Sequence, residues 1–270
     1  MESIIPIATL VVAAGATLAV DLSTLRRVSQ NTHGPVRVPA SSAPLARQAA
    51  AGAKVKKSLN WAGAVATSDR GSAKGTITVP TPEIPTDSTT PGEVHCATFW
   101  TGVDGASAQC QSILQTGIDI CVQRTQNGTL DTLARSWHQF FPVPAALHDI
   151  QISFGDVVTM SVTATGRTGG VVSVENETTG KSASQTYANV SDASLCLETA
   201  EWVVERFTVD TATNSLIPFA NFGNVTFENA TVGGAGIQGM NITMFEMITN
   251  TSTLATCEVN GSSVVCSDKS

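Results

Sequence analysis

The chain has 270 residues, with 15 Lys and Arg against 22 Asp and Glu and a formal net charge of −7. That length holds one large domain or two small ones, and the acidic balance excludes a nucleic-acid binder built on a basic surface. Charged residues are only 14% of the chain, while Ser, Thr, Val, Gly and Ala abound, a balance that suits β-sheets with uncharged polar faces better than helices.

The first feature in chain order is an almost unbroken apolar stretch over residues 4–19, closed by Asp21. At about 16 residues it is short of the roughly 20 that a spanning helix needs. Small residues at Ala14-Gly15-Ala16 and Thr17-Leu18-Ala19 offer cleavage sites, although Glu2 sits where a Lys or Arg is usual. Residues 1–19 therefore predict a cleaved signal peptide, a secreted extracellular protein and no membrane attachment after processing. An uncleaved anchor is the alternative.

Residues 20–57 carry Arg26, Arg27, Arg37, Arg47, Lys54, Lys56 and Lys57 against one acid, Asp21. The segment is rich in Ala, Pro and Ser and ends in a dibasic pair. It reads either as a disordered basic tail or as a pro-segment removed after Lys57. From Ser58 onward there are eight basic and twenty acidic residues, a formal charge of −12. Basic segment and acidic body attract near neutral pH, and the attraction fades as carboxylates protonate.

Beyond Ser58 the chain reads as short alternating strands separated by turn clusters, with no convincing helix and no internal repeat. Residues 73–79 form one strand, ended by a Pro-rich loop over 80–91. Over 97–104, Phe99, Thr101 and Val103 take one face and Trp100, Gly102 and Asp104 the other. The stretch 113–119 sends Leu114, Thr116 and Ile118 to one side and Gln115, Gly117 and Asp119 to the other, so Gln115 stands on a surface that could line a cleft. Strands follow at 157–165, 170–175, 182–188, 200–207 and 225–229. Such spacing predicts an all-β sandwich or barrel.

All six cysteines, at 96, 110, 121, 196, 257 and 266, lie after Ser58. An even count behind a signal peptide reads as disulfides, and sequence alone leaves fifteen connectivities open. Cys257 and Cys266 flank Asn260-Gly261, a hairpin turn across which they could bridge. Cys96 and Cys121 would face each other if their strands pair antiparallel around residues 105–111, which leaves Cys110 with Cys196. Sequons at Asn127, Asn176, Asn189, Asn224, Asn229, Asn241, Asn250 and Asn260 add to the reading of a secreted glycoprotein.

The familiar hydrolase signatures, G-x-S-x-G, H-E-x-x-H and Asp-Thr/Ser-Gly, are absent. His33, His95, His138 and His148 show no metal-ligand spacing and read as surface or packing residues; no metal and no cofactor is implied. Glu201 and Glu205 share a strand face with Val203 but lie roughly 13 Å apart by strand rise, too far for a retaining glycosidase pair. One of them needs a partner from another strand. An amide such as Gln115 is a hydrogen-bonding group that does not titrate, an asset where a reaction runs in acid.

Several segments together resemble one family: Asn60-Trp61-Ala62-Gly63, Trp100-Thr101-Gly102-Val103-Asp104-Gly105, Ile113-Leu114-Gln115-Thr116-Gly117-Ile118-Asp119, Ser136-Trp137-His138-Gln139-Phe140-Phe141-Pro142 and Ala200-Glu201-Trp202-Val203-Val204-Glu205. In this order, from Asn60 to Cys266, the chain is similar to the glutamic peptidases, or eqolisins. The resemblance implies a β-sandwich of two packed antiparallel sheets, lectin-like in the manner of the concanavalin A jelly roll. It also implies a secreted, pepstatin-insensitive acid endopeptidase, made as a zymogen whose own pro-segment is its inhibitor, monomeric, and acting on peptide or protein substrates. The family's dyad falls on Gln115 and Glu205: the glutamate activates water and then protonates the leaving nitrogen, and the glutamine stabilises the oxyanion. Trp61, Trp100, Asp104 and Trp137 fall on positions that line the substrate cleft, and Gln139 and Phe141 stand there where the family usually has an acid and a tyrosine. Rival readings are an inactive homologue that binds peptides and a carbohydrate-binding sandwich whose tryptophans stack on sugars; the joint presence of Gln115 and Glu205 argues against the second.

Overall fold

The computed structural model describes Leu22, Leu25, residues 33–39 and residues 54–270. The leader expected at 1–19, with both its cleavage positions, and most of the segment 20–57 lie outside the described residues.

The strands in chain order are β1 (Lys54–Ser58), β2 (Trp61–Thr67), β3 (Ser72–Thr78), β4 (Val94–Val103), β5 (Ile113–Arg124) and β6 (Leu130–Phe141). Next come β7 (Ala146–Leu147), β8 (Val157–Gly166), β9 (Gly169–Asn176), β10 (Lys181–Tyr187), β11 (Thr199–Glu205) and β12 (Thr208–Asp210). The last are β13 (Ser215–Leu216), β14 (Asn224–Val232), β15 (Ala235–Gly236), β16 (Ile242–Ile248), β17 (Thr253–Asn260) and β18 (Ser263–Asp268). The fold is all-β and is dominated by one large curled sheet of 16 strands. Its hydrogen-bonded path runs β10-β9-β8-β3-β14-β18-β17-β16-β2-β11-β4-β5-β6-β7. All pairs along that path are antiparallel, and β1 adds to β16 in parallel.

Where the resemblance implied two separate sheets, hydrogen bonding is continuous. Strand β14 pairs with β18 through residues 224–227 and with β3 through Glu228 and Thr231, with a register shift between the last two. A shift of this kind bends and twists a strand, so β14 belongs to both arms of the curl. Sequence alternation shows that a strand has a buried face, but not that one strand serves two layers.

The arms close on a common apolar core. Phe99, Ile118 and Ile120 from one side meet Ile77, Val158, Met160 and Val174 from the other, with Trp202 and Phe227 between them. At one close approach a Cβ on Gly75 of β3 would sit 2.9 Å from Trp202 Cδ1, and the Trp202 indole N–H donates to Lys74 O at 2.8 Å. Strands β4 and β5 are buried on both faces for nearly their whole length, because the opposite face is covered too. There Trp61, Trp100, Trp137, Ile113 and Val203 form a second cluster.

Disulfides join Cys96 to Cys121 and Cys257 to Cys266 directly across strand pairs, each with Cα atoms 4.1 Å apart. Cys110 joins Cys196 across 6.0 Å between Cα atoms and ties the loop after β4 to the approach to β11. Of the eight sequon asparagines seven are exposed, whereas Asn176 is buried and donates to Asp156 at 2.7 Å. The dibasic pair Lys56-Lys57 lies inside β1, with Lys57 in register with Glu246.

Candidate active site

Three neighbouring strands set the site. Glu205 ends β11, Trp100 lies on β4 between, and Gln115 lies on β5. In register, Glu205 faces Thr98, which faces Asp119, which faces Arg135. Two steps along, Glu201 faces Gly102, which faces Gln115, which faces Gln139. Side chains two and four residues apart share a face, so Gln115 and Glu205 stand on the same surface on a diagonal across β4.

Residues 33–39 cross this surface. The Gln115 amide N–H donates to His33 O at 2.8 Å, and Gly34 N donates to Glu205 Oε1 at 3.3 Å. The two side chains thus bracket a single peptide group, His33–Gly34. The path continues with Trp61 Nε1 donating to Gly34 O at 3.1 Å, Asn60 Nδ2 donating to Pro35 O at 3.2 Å and Val36 N donating to Gly105 O at 3.2 Å. Upstream, Leu22 and Leu25 are buried in a cluster with Val94, Phe207, Ile217 and the Cys96–Cys121 bridge.

Glu205 is held from several sides. Trp100 Nε1 donates to its Oε2 at 2.8 Å, and Asn60 Nδ2 donates to Oε1 at 3.4 Å. Burial pushes its carboxyl above the ordinary glutamate value, and His33 and the Trp100 and Trp61 donors offset part of that rise. Gln115 Nε2 also donates to Gln139 Oε1 at 3.1 Å, and Gln139 Nε2 donates to Val143 O at 2.8 Å. This chain of amides fixes which end of Gln115 faces the peptide. Among the described residues Gln115 Oε1 has no hydrogen-bond partner, so it is able to accept from a water.

The tryptophans divide the work. Trp61 touches the peptide, Trp100 touches Glu205, and Trp137 stacks on the His33 ring with centroids 3.6 Å apart and planes at 1°. Gly117, between Gln115 and Asp119, makes the packing feasible: a Cβ there would lie 2.6 Å from both Trp100 and Trp137. Phe141 lies 3.8 Å from a Cβ built on Gly34. Asp104 has a different place. It is buried with φ 71° and accepts the backbone N–H groups of Cys196, Leu197, Glu198 and Thr199 at 2.8 to 3.3 Å, holding the loop that leads into β11.

Three residues at the site make contacts that the sequence does not show. Asn60 opens the Asn60–Gly63 motif, but nothing local in the sequence shows its amide reaching Glu205. Asp119 shares a face with Gln115, a signal present in the alternation. His33 is a packing residue of a particular kind: its ring is 1% exposed, with Nδ1 3.6 Å from Glu205 Oε2 and Nε2 3.7 Å from Asp119 Oδ1, contacts that no sequence motif marks. Glu201 is on the Glu205 face but touches none of the segment; burial pushes it well above the usual carboxylate range, and the negative Asp104 adds to that. Among the described residues no group of three His, Cys, Asp or Glu could hold a metal ion.

Comparison with known proteins gives a consistent result. The family model described as the Peptidase A4 family matches residues 59–268. Aspergillopepsin-2 of Aspergillus niger is 36% identical over 225 residues, covering 77% of this chain and 76% of that protein. Scytalidopepsin B of Scytalidium lignicola is 34% identical over 216 residues, covering 77% of each. A crystal structure of scytalido-glutamic peptidase with a transition state analog inhibitor superposes with a TM-score of 0.64 at 32% identity, covering 78% of this chain and 98% of that one.

Proposed function

Because the chain belongs to the Peptidase A4 family of glutamic peptidases, it is an acid endopeptidase of the glutamic type, and we infer that Glu205 and Gln115 carry its reaction. The observation behind this reading is the single peptide group held between them, carbonyl on Gln115 and N–H on Glu205. Ionised Glu205 takes a proton from the attacking water as the new C–O bond forms. The electron pair displaced onto the carbonyl oxygen is met by Gln115 Nε2, a donor already 2.8 Å from that oxygen. Collapse of the tetrahedral intermediate breaks the C–N bond, and Glu205 returns the proton to the leaving nitrogen. Trp100 and Asn60 orient the carboxylate, and Gln139 orients Gln115. An amide at 139 keeps its acceptor at any acid pH, whereas a carboxylic acid there would protonate.

Residues 20–57 act as an inhibitory pro-segment in this reading. What supports it is the course of residues 33–39 across Gln115 and Glu205, together with the burial of Leu22 and Leu25. Residues 1–19 serve as the leader of a secreted, extracellular protein, residues 58–270 as the peptidase domain, and the active protein is a monomer acting on peptides and proteins. The curled sheet is read as a two-layer sandwich of the lectin type whose layers share β14.

Casein hydrolysis by the activated protein, followed between about pH 2 and 6, a window set around the ordinary glutamate pKa, tests the assignment. It should persist with pepstatin present. Glu205→Gln should abolish it, and Gln115→Ala should lower kcat about a hundredfold to a thousandfold, the usual cost of one oxyanion donor. A Glu205→Gln variant that retains wild-type rates sinks the dyad.

A further inference from the structure

The segment across the dyad offers one side chain on the acyl side of the bracketed bond, and its surroundings are built for that side chain. The His33 ring lies flat on Trp137 and edge-on to Phe207, whose centroid is 5.3 Å away at 63°. Its two nitrogens face two different carboxylates, Nδ1 toward Glu205 at 3.6 Å and Nε2 toward Asp119 at 3.7 Å. Arg135 Nε holds the other Asp119 oxygen at 2.9 Å and so keeps that carboxylate turned in its present direction. A histidine in a free peptide is cationic in acid. Such a cation gains both the stacking of a flat ring on indole and the two carboxylates. An aliphatic or phenyl side chain in the same place would set hydrocarbon against those oxygens.

The rest of the segment bears on which bond is cut. The Lys57–Ser58 bond lies within β1, paired with β16, and the buried Ser58 hydroxyl accepts the backbone N–H groups of Asn60 and Trp61. Cutting there requires the strand to leave the sheet. The His33–Gly34 bond needs no such step.

We propose that the cleft selects a histidine on the acyl side of the cleaved bond, through Trp137 and Asp119, and that His33–Gly34 is the chain's own bond of this kind. The proposal rests on the assignment of Gln115 and Glu205 as the dyad. Water supplies the atoms: its oxygen bonds to the His33 carbonyl carbon, the C–N bond breaks, and a proton passes through Glu205 to the Gly34 nitrogen. The products are a carboxyl group on His33 and an amino group on Gly34.

The full chain, purified at neutral pH and then acidified, should yield a fragment beginning at Gly34 by mass spectrometry, and the Glu205→Gln chain should not. Peptides with the sequence of residues 29–39, carrying His, Gln, Phe or Leu at position 33, separate selection from simple positioning. The activated wild type should cut the His peptide with kcat/KM at least about tenfold above the Leu peptide, within the range one pocket achieves. Asp119→Asn should bring the His-to-Leu ratio toward one, a readout that the fraction of folded enzyme does not alter. Casein hydrolysis without a Gly34 terminus, or a wild-type ratio at or below one, overturns the proposal and leaves the dyad standing. Absence of casein hydrolysis altogether overturns both.

Discussion

As the proposed base, Glu205 has to be ionised to accept a proton from water, yet burial favours its neutral form, so its neighbours would set the pH at which it works. The indole N–H of Trp100, 2.8 Å from Oε2, is a donor that stabilises the charged form. Trp100→Phe removes the donor while keeping most of the ring. The carboxyl should rise further, and the acid limb of the kcat/KM profile should move to higher pH, with kcat lower at every pH below the new limb. A profile unmoved by this substitution argues that Glu205 is not the titrating base. Asp104 is the contrasting residue, since its four backbone partners commit the carboxylate to a loop. Loss of activity in Asp104→Ala would therefore accompany loss of stability.

At the scale of elements, the site exists because β2, β11, β4, β5 and β6 lie side by side in a fixed register. One cross-sheet row carries Glu205, Thr98, Asp119 and Arg135, and a second, beyond the row of Val203, Trp100, Gly117 and Trp137, carries Glu201, Gly102, Gln115 and Gln139. A slip of one residue in any pair would turn a functional side chain into the core. The close approach of β3 to β11 keeps this platform in place. Gly75→Val would gain up to about 1 kcal/mol of strand preference, but its Cβ meets Trp202 Cδ1 at 2.9 Å, and overpacking costs about 1–3 kcal/mol. The net expectation is destabilisation on the order of 1 kcal/mol, read as a lower urea midpoint. An unchanged or higher midpoint would show that the arms have slack at this contact.

For the whole molecule, buried groups pull pH stability in opposite directions. His148, packed against Thr116 and His138, is held down to about 4, first by burial and then by the charge of His138. Between 6.5 and about 4 the unfolded chain takes up a proton that the folded one refuses, so stability is complete above 6.5 and falls as pH falls, by roughly 3 kcal/mol. Glu201 acts with the opposite sign: its raised carboxyl holds a proton that the unfolded chain has lost, so stability falls as pH rises above 4.5 toward the folded value. His148→Gln should keep more of the stability at pH 4, and Glu201→Gln should raise it at pH 7. Thermal melts across this range check both, and profiles parallel to wild type would exclude these groups as the source.

The sequence by itself determined the all-β class, through alternation in strands such as 157–165, and the family, through the ordered segments from Asn60 to Cys266. It also nominated Gln115 and Glu205, because those residue types sit within recognisable runs of neighbours. Short-range pattern carries such information, since each signal lies within a few residues. The tertiary structure alone decided the continuity of the sheet through β14, the buried state of Asn176 and the inward turn of Asp104, all of which depend on how distant strands bend and meet. It alone put Asp119 in the row of Glu205 and laid His33 between them, because register across β11, β4 and β5 and the course of a segment over that face are set by contacts among residues far apart in the chain.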